Sequence, residues 1–280
     1  GNYVVDEGET NPFKADSDGD SVLDPQERID QTSPTNEYDY EPRALSEFSF
    51  DTDLFIGNQN QVPLLNVGPS LVSSFRPNGR NGYNASPGNR LAYRVVEANN
   101  HININLIRGT IKFWFKPSWN SGDVGHPFGS RLLEIGQFSS TGRNNNGWWG
   151  LFLNSDRTKM TFGSQGPNLG SWERYIESDK LDFQAGKWYE IELTYGPRTT
   201  YPYGRKDPLR EQRYSNSYLY INGKREGFGF GVNPDLLPND TAISDGFVLG
   251  SQQDGTLSLS AVIDELKTYN YPLHSWNERI

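Results

Sequence analysis

The chain has 280 residues, of which 22% are charged, and its mean hydropathy is -0.73. This length allows one large domain with a small appendage. No apolar run approaches the roughly 20 residues that a membrane-spanning helix needs, and the lack of cysteine excludes disulfides and thiolate metal sites.

The net charge of -9 is concentrated at the start of the chain. Residues 1–42 carry twelve acidic and two basic side chains, whereas residues 43–280 are almost neutral. This distribution predicts a cation as a partner of the first segment. It argues against nucleic acid, which needs a basic surface.

Within residues 1–42, a twelve-residue frame from Asp16 to Glu27 is typical of a calcium-binding loop. Calcium takes six to eight oxygen ligands, and such a loop supplies them from alternating positions and from a glutamate that closes the frame. Serine replaces the glycine expected at the sixth position, so the flanking helices of an EF-hand are not assumed. The predicted Ca²⁺ ligands are Asp16, Asp18, Asp20, the backbone carbonyl of Val22, Asp24 and Glu27.

Few apolar residues accompany these acids, so the segment needs a metal or a neighbouring surface to become ordered. The elements Thr10-Asn11-Pro12 and Thr32-Ser33-Pro34 flank the acidic loop. With them, the segment resembles a bacterial thrombospondin type 3 repeat. The resemblance implies a stiff, calcium-dependent spacer in an extracellular multidomain protein.

From Pro42 onward, short runs of β-branched and aromatic residues alternate with clusters of Gly, Asn and Ser, which predicts many short strands. Asn222-Gly223 predicts a type I′ hairpin. We therefore expect residues 43–280 to form an all-β, antiparallel β-sandwich. The predicted strands are Ala92–Glu97, His101–Asn105, Gly109–Pro117, Arg131–Gly136, Trp148–Asn154, Lys159–Gly163, Lys187–Tyr195, Ser217–Ile221, Gly246–Gly250 and Leu257–Tyr269.

Four segments between residues 109 and 273 also carry a family resemblance. They resemble laminin G-like domains of the concanavalin A-like lectin/glucanase superfamily, and their bounds are Gly109–Pro117, Gly186–Tyr195, Leu219–Lys224 and Ile263–Asn270. The resemblance implies a jelly roll. It leaves function open, because this fold carries lectins, hydrolases, lyases and adhesion modules.

Catalysis on this fold requires paired carboxylates in a cleft. The nearest candidates are Glu190 with Glu192, which lack a third acid, and Asp264 with Glu265, which point to opposite faces of a strand. His101, His126 and His274 have no catalytic context. We therefore predict that the domain is not an enzyme, with a polysaccharide hydrolase or lyase as the less favoured reading.

Carbohydrate binding uses aromatic platforms together with amide, carboxylate and guanidinium groups. Trp148 and Trp149 are adjacent, so one is expected in the core and the other outside or under a loop. Trp114 and Trp188 are expected in the core. The candidate ligand-binding residues are Trp148, Trp149, Trp172, Tyr201, Tyr203, Asn145, Arg174 and Arg205.

Sandwiches of this type often hold a second calcium ion, and Asp264 is the candidate ligand. The alternative is that Asp264 caps a neighbouring loop. The two segments together predict a non-catalytic module that binds a polysaccharide or glycan in an exported bacterial protein, at the cell surface or outside it. A structural or adhesion module that binds protein remains the alternative. The sequence begins without a signal peptide, and we expect it to be part of a larger chain.

Overall fold

The computed structural model describes residues 10–11, 13–14, 17, 24–30, 32–36, 41–73, 81–123, 129–141, 145–198 and 217–273. Two short α-helices, α1 (Asp24–Asp30) and α2 (Asp240–Ser244), and a 3-10 turn at Pro234–Leu236 accompany the strands. The strands are β1 Ala44–Phe48, β2 Leu65–Val67, β3 Leu71–Ser73, β4 Asn81–Ala85, β5 Arg90–Tyr93, β6 Gly109–Pro117, β7 Ser130–Gly136, β8 Trp148–Leu153, β9 Met160–Gln165, β10 Glu173–Glu177, β11 Tyr189–Tyr195, β12 Ser217–Ile221, β13 Lys224–Gly229, β14 Phe247–Leu249 and β15 Ala261–Tyr269.

The strands form two antiparallel sheets that pack into a β-sandwich, which confirms the predicted fold class. Sheet A has the order β13-β12-β11-β6-β15-β4-β3, and β1 pairs with the second half of β15. Sheet B has the order β10-β9-β8-β7-β14-β5-β2. The long strand β15 changes partners because a bulge between Asp264 and Lys267 shifts its register, with Glu265 at a φ of 49°.

The core lies between the sheets and follows from the period of two along each strand. In β6, the side chains of Ile111, Phe113 and Phe115 are buried, while those of Lys112 and Trp114 are only partly buried on the outer face. Aromatic rings fill much of this core, and Trp149 packs against Phe162 and Tyr195. The outer faces are therefore the surfaces on which further function must be sought.

Several predicted elements are confirmed and others are wrong. The Asn222-Gly223 turn has positive φ at both positions, 52° and 76°, as a type I′ hairpin requires. The predicted strand His101–Asn105 is wrong, since only an isolated bridge joins Ile102 to Val96 there. Sequence reasoning also missed β1 to β4, β10 and β13, which are three to six residues long and are too short to show a clear alternation.

Across the ranges that the structure describes, no helix has the length and apolar character that crossing a membrane requires.

Candidate functional site

The two adjacent tryptophans of β8 point to opposite faces of sheet B. Trp149 enters the core and donates from its indole Nε1 to the backbone oxygen of Leu106, at 3.1 Å. Trp148 points to the outer face and is nevertheless 1% exposed. The prediction that one tryptophan lies in the core and the other points outward is confirmed. Aromatic side chains on the outer face cover Trp148.

Trp148 and the three aromatic side chains that cover it are here called the outer aromatic cluster. The three are Phe138, Phe152 and Trp172. Trp148 lies 5.8 Å from Phe138, 5.7 Å from Phe152 and 6.1 Å from Trp172 between ring centroids, all in edge-to-face geometry. Trp172 also meets Phe138 at 6.3 Å and Phe152 at 5.9 Å. Edge-to-face contacts add to the burial energy of each ring and fix its orientation.

Two glycines in the strands beneath make room for the rings. A Cβ atom added to Gly163 would lie 2.8 Å from Cζ3 of Trp172, and one added to Gly150 would lie 3.0 Å from Cζ2 of Trp148. Gly150 and Gly163 are paired across β8 and β9. The indoles therefore lie directly on the backbone of the sheet, which glycine alone permits.

Trp172 is the member of the cluster that reaches solvent. Its side chain is 37% exposed, whereas Trp148 is enclosed. Because its neighbours hold it edge to face, the exposed indole is fixed before any ligand arrives, and little side-chain entropy remains to be lost on binding. Such a ring is a suitable surface for the C–H face of a sugar.

A buried ion pair lies under the cluster. Arg131 Nε donates to Glu134 Oε2 at 2.6 Å, and Trp148 Nε1 donates to the same oxygen at 2.8 Å. The guanidinium also lies over the rings of Trp148 and Phe152. Burial raises the pKa of Glu134 to about 7, although the charge of Arg131 and both hydrogen bonds favour the ionised form.

A depression of about 390 Å³ opens beside Phe138. Its floor includes Gly136 and Ala242, the latter in α2. Phe138 belongs both to this depression and to the outer aromatic cluster, so the exposed Trp172 and the depression form one continuous surface. The polar side chains of the lining belong to Gln137, Ser139, Asn145, Asn146, Asp245 and Gln253.

The buried side chain of Gln165 holds the rim of this depression. Gln165 Oε1 accepts from the backbone N–H of Ser139 and from Asn145 Nδ2, both at 3.0 Å. Gln165 Nε2 donates to the backbone oxygen of Ser139 at 2.8 Å. Asn145 Oδ1 in turn accepts from the backbone N–H of Asn168. One amide at the end of β9 therefore positions two loops.

The structure brings three of the predicted ligand-binding residues together: Trp148 and Trp172 in the cluster, and Asn145 in the depression. Arg174 is exposed and pairs with Glu177 at 2.6 Å, and Trp149 belongs to the core. Tyr201, Tyr203 and Arg205 lie outside the described residues. Sequence reasoning missed Phe138, Gln137, Asp245 and Gln253, although Gln137 and Phe138 directly follow the predicted strand Arg131–Gly136.

The outer face of sheet A carries the carboxylates that were considered for catalysis. Lys112 Nζ lies 3.1 Å from Glu190 Oε1 and 3.4 Å from Glu192 Oε2. Burial opposes the charge of Lys112, but the two carboxylates outweigh it and raise its pKa. Both acids therefore serve an ion-pair network here. Trp114 and Trp188 are on this outer face and partly exposed, so the prediction that they belong to the core is wrong.

Asp264, the candidate for a second calcium, is fully buried in β15 opposite Trp114. Within the described ranges, no three His, Cys, Asp or Glu side chains are grouped so that they could hold a metal. A calcium ligand role for Asp264 therefore stays a prediction.

Parts of the acidic loop are described. Ser17 donates from its backbone N–H to Asp24 Oδ1 and from its hydroxyl to Asp24 Oδ2, both at 2.7 Å. α1 begins at Asp24 and contains Glu27, whose side chain is fully buried. A helix thus begins within the last four positions of the frame, a point that the sequence had left open. Asp16, Asp18, Asp20 and Val22 lie outside the described residues.

Fold and surface together define a β-sandwich of the jelly-roll class with a candidate binding site on the outer face of one sheet. The chain belongs to the concanavalin A-like lectin/glucanase superfamily, because the family model with that description matches residues 92–276. No protein of curated function matches the chain in sequence.

The chain is also similar to solved structures at low identity. The receptor-binding domain of botulinum neurotoxin C/D mosaic serotype is 12% identical, with a TM-score of 0.43 over 82% of this chain and 48% of that one. The Trypanosoma rangeli sialidase in complex with the inhibitor DANA is 15% identical, with a TM-score of 0.45 over 82% of this chain and 31% of that one. The chain thus spans less than half of either protein.

Proposed function

We propose that the sandwich is a non-catalytic carbohydrate-binding module. The observation that carries this proposal is the continuous surface formed by the half-exposed Trp172, Phe138 and the polar depression. A sugar ring offers C–H groups to an indole, while its hydroxyls need partners that both donate and accept hydrogen bonds. Amide side chains such as Asn145, Gln137 and Gln253 do both.

The fixed geometry of this surface also supports the proposal. Sites for small ligands are concave, largely preformed and equipped with a few polar groups in fixed positions. Here the edge-to-face contacts of the outer aromatic cluster and the hydrogen bonds of Gln165 provide the fixed geometry. The superfamily includes lectins and glucanases, which is compatible with a saccharide ligand.

Affinity electrophoresis of the full chain in gels that contain soluble polysaccharides tests this function. At least one polysaccharide should retard the protein, and the Trp172→Ala variant should migrate like the protein in a plain gel. If no polysaccharide retards the protein in the presence of calcium, the alternative of a structural or adhesion module that binds protein replaces this proposal.

We further propose that residues 1–42 are a calcium-stabilised spacer that attaches the sandwich to further domains of an exported protein. The closure of the loop by Asp24 on Ser17 supports this, as does the full burial of Glu27. The predicted donors are all oxygens, as Ca²⁺ prefers. Proteolysis with and without a chelator tests the spacer.

A further inference from the structure

We propose that the site on sheet B selects uncharged saccharides and rejects anionic ones, with Asp245 as the residue that discriminates. This inference rests on the proposed carbohydrate-binding function and adds the charge class of the ligand. It follows from the ionic state of the side chains that line and surround the depression.

The lining itself contains no lysine or arginine among the described residues. Its ionisable member is Asp245, which is exposed at the end of α2 and has no ion-pair partner within the described part of the chain. The other polar members are amides and one hydroxyl. A carboxylate or sulfate on a sugar accepts hydrogen bonds but cannot donate them, so a lining of this kind offers it repulsion from Asp245 and no compensating cation.

The arginines that surround the site are already balanced by carboxylates. Arg131 is paired with the buried Glu134, and Arg174 is paired with Glu177. The carboxylate that pairs with Arg131 is buried in the protein, and the carboxylate that pairs with Arg174 lies on the surface of β10. Arg131 is 5% exposed and therefore out of reach of a ligand, and the negative charge of Glu177 offsets the attraction of Arg174 for an anionic sugar.

Arg90 is the described cation that touches the lining. Its Nη1 donates to the backbone oxygen of Gln253 at 3.0 Å. Burial opposes ionisation of the adjacent Asp254, but hydrogen bonds from Thr256 and the charge of Arg90 outweigh it and hold the pKa of Asp254 below its ordinary value. Around Gln253 the described residues thus carry two carboxylates, Asp245 and Asp254, against the one guanidinium of Arg90, which leaves a local excess of negative charge.

The segment 234–246 supplies Asp245. It contains Asp235, Asp240 and Asp245 and no basic residue. α2 places Ala242 against the floor of the depression, and Asp245 is the acid of this segment that lines it. Arg143 precedes Asn145 in the sequence and lies outside the described residues. The experiment therefore includes a variant of it.

The test uses the full chain at low ionic strength and pairs of polysaccharides that differ in charge: hydroxyethyl cellulose with carboxymethyl cellulose, and galactomannan with polygalacturonate. We expect retardation by a neutral member that exceeds retardation by its anionic counterpart at least threefold. For Asp245→Asn, the ratio of anionic to neutral binding should rise threefold or more. Asp240→Asn, outside the lining, is the matched control and should change that ratio less than twofold.

Three other outcomes would overturn, in turn, the selection by charge, the role of Asp245 and the carbohydrate-binding function. Preferred binding of an anionic polysaccharide that Arg143→Ala abolishes would overturn the selection for uncharged ligands while the carbohydrate-binding function stands. An unchanged ratio in Asp245→Asn would overturn the role of Asp245. Absence of binding to every polysaccharide of both classes would remove the proposed function itself.

Discussion

Trp148 and Glu134 are joined by a hydrogen bond of 2.8 Å from the indole Nε1 to the carboxylate Oε2, beneath the outer aromatic cluster. Both side chains are almost completely buried on the outer face of sheet B, away from the core between the sheets. The bond joins the titratable carboxyl group of Glu134 to Trp148, and Trp148 packs against both Trp172 and Phe138. The ionisation of Glu134 is thereby linked to the stability of the proposed site.

This link predicts a specific pH dependence. In the unfolded chain Glu134 ionises near 4.5, whereas in the folded protein its pKa is about 7. Between these values the folded state retains a proton that the unfolded state has lost, so the stabilising contribution of Glu134 falls as the pH rises. Over the whole interval the change amounts to roughly 3 kcal/mol.

Urea unfolding of the wild type and of Glu134→Gln between pH 4.5 and 8 measures this effect. The difference in free energy of unfolding, wild type minus variant, should decrease steadily with pH. A pH-independent difference for Glu134→Gln would contradict the raised pKa.

Trp172→Ala should abolish most of the affinity for a polysaccharide, and thermal unfolding measures separately the stability that the lost ring contacts cost. The indole is 37% exposed and presents a fixed ring, so its truncation removes a contact of the kind that dominates binding, worth about 2 kcal/mol or roughly 30-fold in Kd. Trp188→Ala is the matched control, because Trp188 is a partly exposed tryptophan near sheet A. Comparable losses in both variants, measured by affinity electrophoresis, would speak against a site at Trp172.

The fold was largely predictable from the sequence because its central strands alternate clearly. In β6 and β11 the period of two directly assigns inner and outer residues, such as Phe113 inside and Lys112 outside. The same pattern placed Trp114 at an even position with Lys112. The expectation that Trp114 lies in the core overlooked this, because large aromatic residues are usually buried.

The candidate site was less predictable, because three distant segments build it. Phe138, Gln165 and Asp245 come together only through the pairing of β7 with β8 and β14, and of β8 with β9. A sequence shows Asn145 in a polar loop, but not that Gln165 holds that loop to the sheet. Local periodicity carries no information about such long-range contacts.

Gln165→Leu should impair binding through the shape of the depression. The change removes the acceptor of the Ser139 N–H and of Asn145 Nδ2, and each lost partner in a partly buried network costs about 1 to 2 kcal/mol. Gln61→Leu is a suitable control, since Gln61 is also buried and donates to Ser46 and Asn103 at the β1 region. Thermal unfolding should show destabilisation in both variants, and polysaccharide binding should fall only in Gln165→Leu. Normal binding by Gln165→Leu would mean that the loops keep their shape without it.

Calcium should order the N-terminal segment without changing the sandwich. The segment has a large acidic excess and little apolar surface, so removal of the ion leaves repulsion between carboxylates that packing cannot offset. Addition of a chelator should therefore produce new protease cleavage within residues 1–42. Cleavage of residues 43–280 and the urea midpoint of the sandwich should stay unchanged.

The Glu27→Gln variant tests the calcium site more directly than addition of a chelator does. Glu27 occupies the position of the closing bidentate ligand and is fully buried, so the variant should bind calcium at least tenfold more weakly by titration calorimetry. Glu41→Gln removes an exposed acid from the same segment and should bind calcium like the wild type. Because both variants lose one negative charge, a difference between them reports ligation and not the general attraction of an acidic segment for cations. Equal affinities in the two variants, or cleavage that a chelator leaves unaltered, would show that Glu27 is buried for a reason other than calcium.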